Sequence, residues 1–165
     1  MNNNYAFIDG QNLHIGISKL GWKIDYIKFR KYLYDKFNIN KAFYFIGYLE
    51  DNEKLYASLI RSGYILKFKK PTIRNGRVKG NIDTELALKT ICDLGRYNKA
   101  VIISGDGDFY CLSKHLDYIK KLLRILIPDF NYCPDRYRNA RFEKFLLYMN
   151  DMEQKLSYKK VDRQS

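Results

Sequence analysis

Val101-Ile102-Ile103-Ser104-Gly105-Asp106-Gly107-Asp108-Phe109 is an apolar run of strand length that stops abruptly at two carboxylates alternating with two glycines. Three consecutive aliphatic residues favour a strand buried on both faces, as in the middle of a parallel sheet, and the glycines let the chain turn tightly at its carboxyl end. Ligands of open α/β sheets bind at that end of the strands. The amino terminus repeats the arrangement. Tyr5-Ala6-Phe7-Ile8 runs into Asp9-Gly10-Gln11-Asn12, a second apolar strand that delivers an acid to a glycine turn.

Outward from these two stretches the chain alternates between strands and helices. Leu13, Ile17 and Leu20 repeat at helical spacing until Gly21. Asp25 caps a second helix striped by Tyr26, Phe29, Leu33 and Phe37. Ala42 to Tyr48 reads as a strand, and a short helix with Leu55 and Leu59 leads through Gly63 to a strand from Tyr64 to Phe68. Asn75-Gly76, between Ile73-Arg74 and Arg77-Val78, signals a hairpin that protrudes as a ribbon. Asn81 is placed to cap a helix reaching about Leu94, and Leu112, Leu116 and Ile119 mark the helix after Asp108. Leu122 to Ile127 is the last strand, closed by Pro128. The spacing of Phe142, Phe145, Leu146 and Met149 predicts one final helix from Arg136 to about Met152. This pattern predicts an α/β fold: a mainly parallel central sheet with helices on both faces. A single domain over residues 1–150 is expected, with residues 151–165 a frayed polar tail at the end of the last helix.

At 165 residues the chain can bury roughly 70% of the surface it exposes when unfolded, enough for a core without disulfides or structural metal. Cys92, Cys111 and Cys133 are odd in number and widely spaced, and only His14 and His115 could join them, so zinc is disfavoured. The Met1-Asn2-Asn3-Asn4 start lacks the basic and apolar regions of a secretory signal, and no apolar run approaches membrane-span length. A cytoplasmic location without membrane contact is the expectation. Thirty Lys and Arg against 18 Asp and Glu leave a net charge of +12 and a pI near 9.5, which calls for an anionic partner. Fifteen Tyr and ten Phe supply rings for stacking on bases, favouring nucleic acid over membrane. An AT-rich coding sequence would also enrich Tyr and Lys together.

Asp9 ends an otherwise apolar strand, where an unpaired carboxylate is costly unless a cation or donors meet it; an Asx turn on its own backbone is the plainer role. Asn12, three residues on, either caps the first helix or steadies that carboxylate. Asp83 shares its side of the helix with Leu86 and Ala87, whereas Glu85 and Lys89 are spaced as an i,i+4 pair on the solvated face. Favourable interaction with the helix dipole would account for Asp83 structurally. Asp106 stands at a strand end, and Asp108 is placed either beside it or as the cap of the following helix. Gathered at one crevice, Asp9, Asp83, Asp106 and Asp108 would demand a counter-ion, and hard oxygen ligands select Mg²⁺ or Mn²⁺. The run Lys67, Lys69, Lys70, Arg74, Arg77 and Lys79 contains no acid and leads straight to Asp83. Arg136, Arg138, Arg141 and Lys144 form a second basic group. An acidic hole in a basic surface suits phosphodiester cleavage.

Phe7-Ile8-Asp9-Gly10-Gln11-Asn12-Leu13, Lys79-Gly80-Asn81-Ile82-Asp83 and Ser104-Gly105-Asp106-Gly107-Asp108-Phe109 resemble, in order, three motifs of NYN domains of the LabA-like branch, within the PIN-like nucleases. The resemblance implies a three-layer α/β/α fold and Mg²⁺- or Mn²⁺-dependent RNA cleavage. It implies metal-site acids at Asp9, Asp83, Asp106 and Asp108, with Asn12 beside them and Ser104 meeting substrate or a ligand water. Lys79, Lys69, Lys70, Arg74 and Arg77 are the expected phosphate contacts. Many relatives carry a further acid one or two turns into the middle helix; here the sequence offers Lys89 and then Asp93. A non-catalytic RNA-binding or regulatory protein on the same scaffold is the rival reading, and the sequence leaves room for a homodimer or a protein partner.

Overall fold

The computed structural model describes residues 3–48, 50–69, 72–74, 77–79 and 82–159. Six parallel strands form the central sheet: β1 (Asn4–Asp9), β2 (Ile39–Gly47), β3 (Tyr64–Lys69), β6 (Ala100–Ile103), β7 (Leu122–Ile127) and β8 (Leu146–Tyr148). A separate antiparallel ribbon pairs β4 (Thr72–Arg74) with β5 (Arg77–Lys79), in agreement with the hairpin expectation; the expected turn residues Asn75 and Gly76 lie outside the described residues. The order in the sheet is β3-β2-β1-β6-β7-β8. The chain therefore winds outward one way from β1 and the other way from β6, making the β1/β6 boundary the switch point at which such sheets open a crevice.

The period-2 alternation of the central strands divides the core into two. Ala6, Ile8, Val101 and Ile103 pack on one face with α1 (Gly10–Lys19), α2 (Tyr26–Phe37) and α3 (Glu53–Arg61) through Leu13, Ile17, Phe29, Leu33 and Leu59. Tyr5, Phe7, Ala100 and Ile102 pack on the other with α4 (Asp83–Cys92) and α5 (Tyr110–Tyr118) through Leu86, Leu112 and Leu116. A run apolar at every position is what a strand covered on both sides requires, and the result is a three-layer α/β/α fold. Asp25 caps α2 as expected, its Oδ1 accepting from the backbone N–H groups of Ile27 and Lys28 at 3.0 and 3.1 Å. Gly10 lets α1 start tight against β2: a Cβ there would strike the Tyr44 ring and lie 2.8 Å from the Phe45 carbonyl oxygen.

The single final helix expected over residues 136–152 is instead broken. Two short helices, α6 (Ala140–Glu143) and α7 (Glu153–Leu156), flank the sixth strand β8, whose Leu146, Leu147 and Tyr148 register with Ile125, Leu126 and Ile127. Phe142, Leu146 and Met149 satisfy a helical repeat, but they serve two layers: Phe142 and Leu146 join one core and Met149 the other. The polar segment after it does not fray at once. Leu156 is fully buried, Ser157 bridges Ile24, and the Lys28 ammonium donates to the Ser157 carbonyl at 2.8 Å. Glu85 pairs with Lys69 at 3.0 Å rather than with Lys89, which turns to the buried Asp93 at 2.8 Å.

Candidate metal centre

The three acids come from three elements that meet at the switch point. Asp9 is the last residue of β1 and also the cap of α1: its Oδ1 accepts from the Asn12 backbone N–H at 3.1 Å. The Asx-turn role and the site role thus fall on one carboxylate. Asp106 follows β6 and caps the short turn Gly107–Phe109, accepting from the Asp108 N–H at 2.9 Å. Asp83 opens α4. One carboxylate oxygen of each lies within 4.8 Å of the other two, with Asp9 buried and the others half-buried. At that spacing each pair of charges repels by roughly 3.5 kcal/mol at an effective dielectric near 20.

Ser104 knits the cluster together. It is 1% exposed; its hydroxyl donates to Asp9 Oδ2 at 3.1 Å and accepts from the Asp106 N–H at 3.0 Å. The resemblance implies contact of Ser104 with substrate or a ligand water; in the structure its hydroxyl also joins the Asp9 carboxylate to the Asp106 backbone. Asn12 ties the same strand ends from the other side, its Oδ1 accepting from the Gly105 N–H at 2.7 Å. Burial pushes the Asp9 carboxyl above its ordinary value of 3.8, the bonds from Asn12 and Ser104 oppose the rise, and Asp83 and Asp106 add to it. Each Asp9 oxygen accepts one of these hydrogen bonds and has a lone pair left for a cation. A hard divalent ion fits this donor set of three converging carboxylates.

Asp108 is exposed and is not one of the three converging acids. The Asp93 carboxylate, the next acid beyond Glu85 in the middle helix region, is committed to Lys89 at 2.8 Å and Arg96 at 3.6 Å. Among the expected phosphate contacts, Lys69 ends β3 and bonds Glu85, while Arg74 sits opposite Arg77 and Lys79 opposite Thr72 in the ribbon. Lys70 lies outside the described residues. Of the second basic group, Arg136 donates to the Gly107 carbonyl at 3.2 Å, placing a cation beside the acid loop. One feature at this edge has no counterpart in the sequence analysis. Lys19 and Tyr132 face each other next to Asn12, with the ammonium 3.6 Å above the ring. The sole hint of the latter in the sequence is the polar-aromatic stretch Asp129-Phe130-Asn131-Tyr132 directly after β7.

The model of the NYN domain family matches residues 5–143. A crystal structure of a protein of unknown function from Vibrio parahaemolyticus superposes with a TM-score of 0.70 at 18% identity, covering 94% of this chain and 96% of that one. No curated protein matches the chain. Among the described residues, no helix is long and apolar enough to cross a membrane.

Proposed function

The chain belongs to the NYN domain family, and from that premise we propose that it is a divalent-metal-dependent ribonuclease of the PIN-like type, in the LabA-like branch. The observation that carries the reading is the convergence of Asp9, Asp83 and Asp106 on one point at the switch crevice. In this reading these three would hold Mg²⁺ or Mn²⁺, with exposed Asp108, next to Asp106 in the same turn, holding a ligand water. Bound there, such an ion would supply positive charge for the phosphate under attack and lower the pKa of a water nucleophile. Ser104 and Asn12 fix the acids before substrate arrives, so little reorganisation is left for the reaction itself. Arg136 and the basic ribbon neutralise flanking phosphates, which supports RNA as the partner of a chain with net charge +12. A cytoplasmic setting accords with its three unpaired thiols.

Labelled single-stranded and hairpin RNA, incubated with the protein and Mn²⁺ and then with EDTA, tests the proposal. Cleavage that leaves 5′-phosphate ends, stops with EDTA and fails in Asp106→Asn supports it. Cleavage that persists in both controls contradicts it. Tight RNA binding without cleavage across varied substrates favours the non-catalytic RNA-binding role.

A further inference from the structure

A narrow groove leaves the acid cluster between α1 and the loop after β7. Asn12, Ile15 and Lys19 of α1 line it on one side and Gly105, Pro128 and Tyr132 on the other. Asn12 belongs to both features: its N–H bonds Asp9, and its side chain bonds Gly105. The groove holds about 100 Å³, well below the roughly 300 Å³ at which pockets for whole drug-sized ligands begin. It therefore suits one flat ring, with the rest of the ligand lying outside.

The groove lining combines the apolar side chains of Ile15 and Pro128 with the aromatic ring of Tyr132. Tyr132 is 56% exposed; the Lys19 ammonium covers one face of its ring at 3.6 Å, and among the described residues no other ring packs on it. The loop that presents Tyr132 is held in place beforehand. Asp129 Oδ1 accepts from the Asn131 N–H and the Asn150 side-chain amide, Asn150 Oδ1 accepts from the Phe130 N–H, and the Tyr132 N–H donates to the Asp129 carbonyl. A half-exposed ring on a fixed loop, with an ammonium over one face, offers its other face for stacking on a base next to a phosphate.

The geometry points to this groove as a base subsite for single-stranded RNA, taking the nucleobase adjacent to the phosphate at the acid cluster, with Tyr132 as its stacking platform. The inference rests on the ribonuclease reading for its occupant. A base paired in a duplex is stacked on both sides and cannot enter, so the groove selects single-stranded over double-stranded substrate.

Binding in EDTA, where no cleavage occurs on the proposed mechanism, tests this apart from the chemistry. Fluorescence anisotropy is read with a short labelled single-stranded RNA and with the same strand carrying abasic sites. Tyr132→Ala is expected to lose about 5- to 150-fold in affinity for the intact strand and little for the abasic one, while Tyr132→Phe binds like the parent. Ile15→Trp, on the opposite wall, fills the groove and is expected to reproduce the loss without touching the ring; it decides the matter if Tyr132→Ala fails to fold. If both variants bind both strands as the parent does, while the parent still cuts RNA with Mn²⁺, the subsite is overturned and the ribonuclease reading stands. If the parent binds neither strand, both fall together.

Discussion

The Ser104 hydroxyl donates to Asp9 Oδ2 at 3.1 Å and is itself the acceptor for the Asp106 N–H at 3.0 Å, so one buried side chain links the carboxylate at the end of β1 to the backbone of the acid that follows β6. Ser104→Ala removes both bonds at a position 1% exposed. The expected cost is about 1 to 3 kcal/mol of stability, because a carboxylate and an N–H each lose a partner. The Asp9 carboxyl should also rise further, weakening Mn²⁺ binding at a given pH. Urea denaturation and a Mn²⁺ titration check the two effects separately.

Asp9 gives the protein a pH dependence of defined sign. Its carboxyl is raised above 3.8 in the folded state, chiefly by burial, so the folded protein holds this proton more tightly than the unfolded chain. The contribution to stability is full below the unfolded value and is lost as pH rises through the folded one. Asp9→Asn keeps a capping side chain but carries no charge. In EDTA the variant should therefore melt higher than the parent at pH 7, with the gap closing toward pH 4. Millimolar Mn²⁺ should reverse the order, since only the parent gains from binding. Melting curves at four pH values with and without Mn²⁺ provide the check.

The sheet was legible because Val101-Ile102-Ile103 and Tyr5-Ala6-Phe7-Ile8 are apolar at consecutive positions, a pattern a one-sided strand does not need. The acids were legible for the same reason: Asp9 and Asp106 interrupt otherwise apolar or glycine-rich contexts. What misled was local spacing that two structures satisfy. Phe142, Leu146 and Met149 fit one helical stripe, yet the chain turns between them and places them in different layers. The Glu85–Lys89 spacing gave way to other partners, Lys69 from β3 for the first and, one turn further along the chain, buried Asp93 for the second. The Tyr132 groove depends on α1 lying beside the loop after β7, a tertiary neighbourhood that no short-range pattern encodes.

Gly16 sets how closely that loop approaches α1. A Cβ on Gly16 would lie 2.5 Å from the Pro128 Cβ. Gly16→Ala should cost about 1 to 3 kcal/mol through overpacking, more than helix propensity returns. It should also widen the groove and lower RNA affinity with the acids untouched. A variant as stable as the parent would show that the loop yields freely.

The ribbon should act through charge alone. If Lys70, Arg74 and Arg77 contact phosphates, each Ala substitution should lower RNA affinity regardless of sequence and reduce the salt dependence of log K by about 0.7 for a single strand. Lys69, already bonded to Glu85, should change the slope least. A quadruple variant with the parent's slope would remove the ribbon from the binding surface.

The central claim is that Asp9, Asp83 and Asp106 together hold a divalent ion. Crystals of the parent and of Asp106→Asn, soaked in millimolar Mn²⁺ and measured at the manganese absorption edge, test it directly. The account predicts an anomalous peak among the three carboxylates of the parent that is lost or sharply reduced in Asp106→Asn. A parent crevice without a peak at that concentration, or a peak that the substitution leaves unchanged, would contradict it.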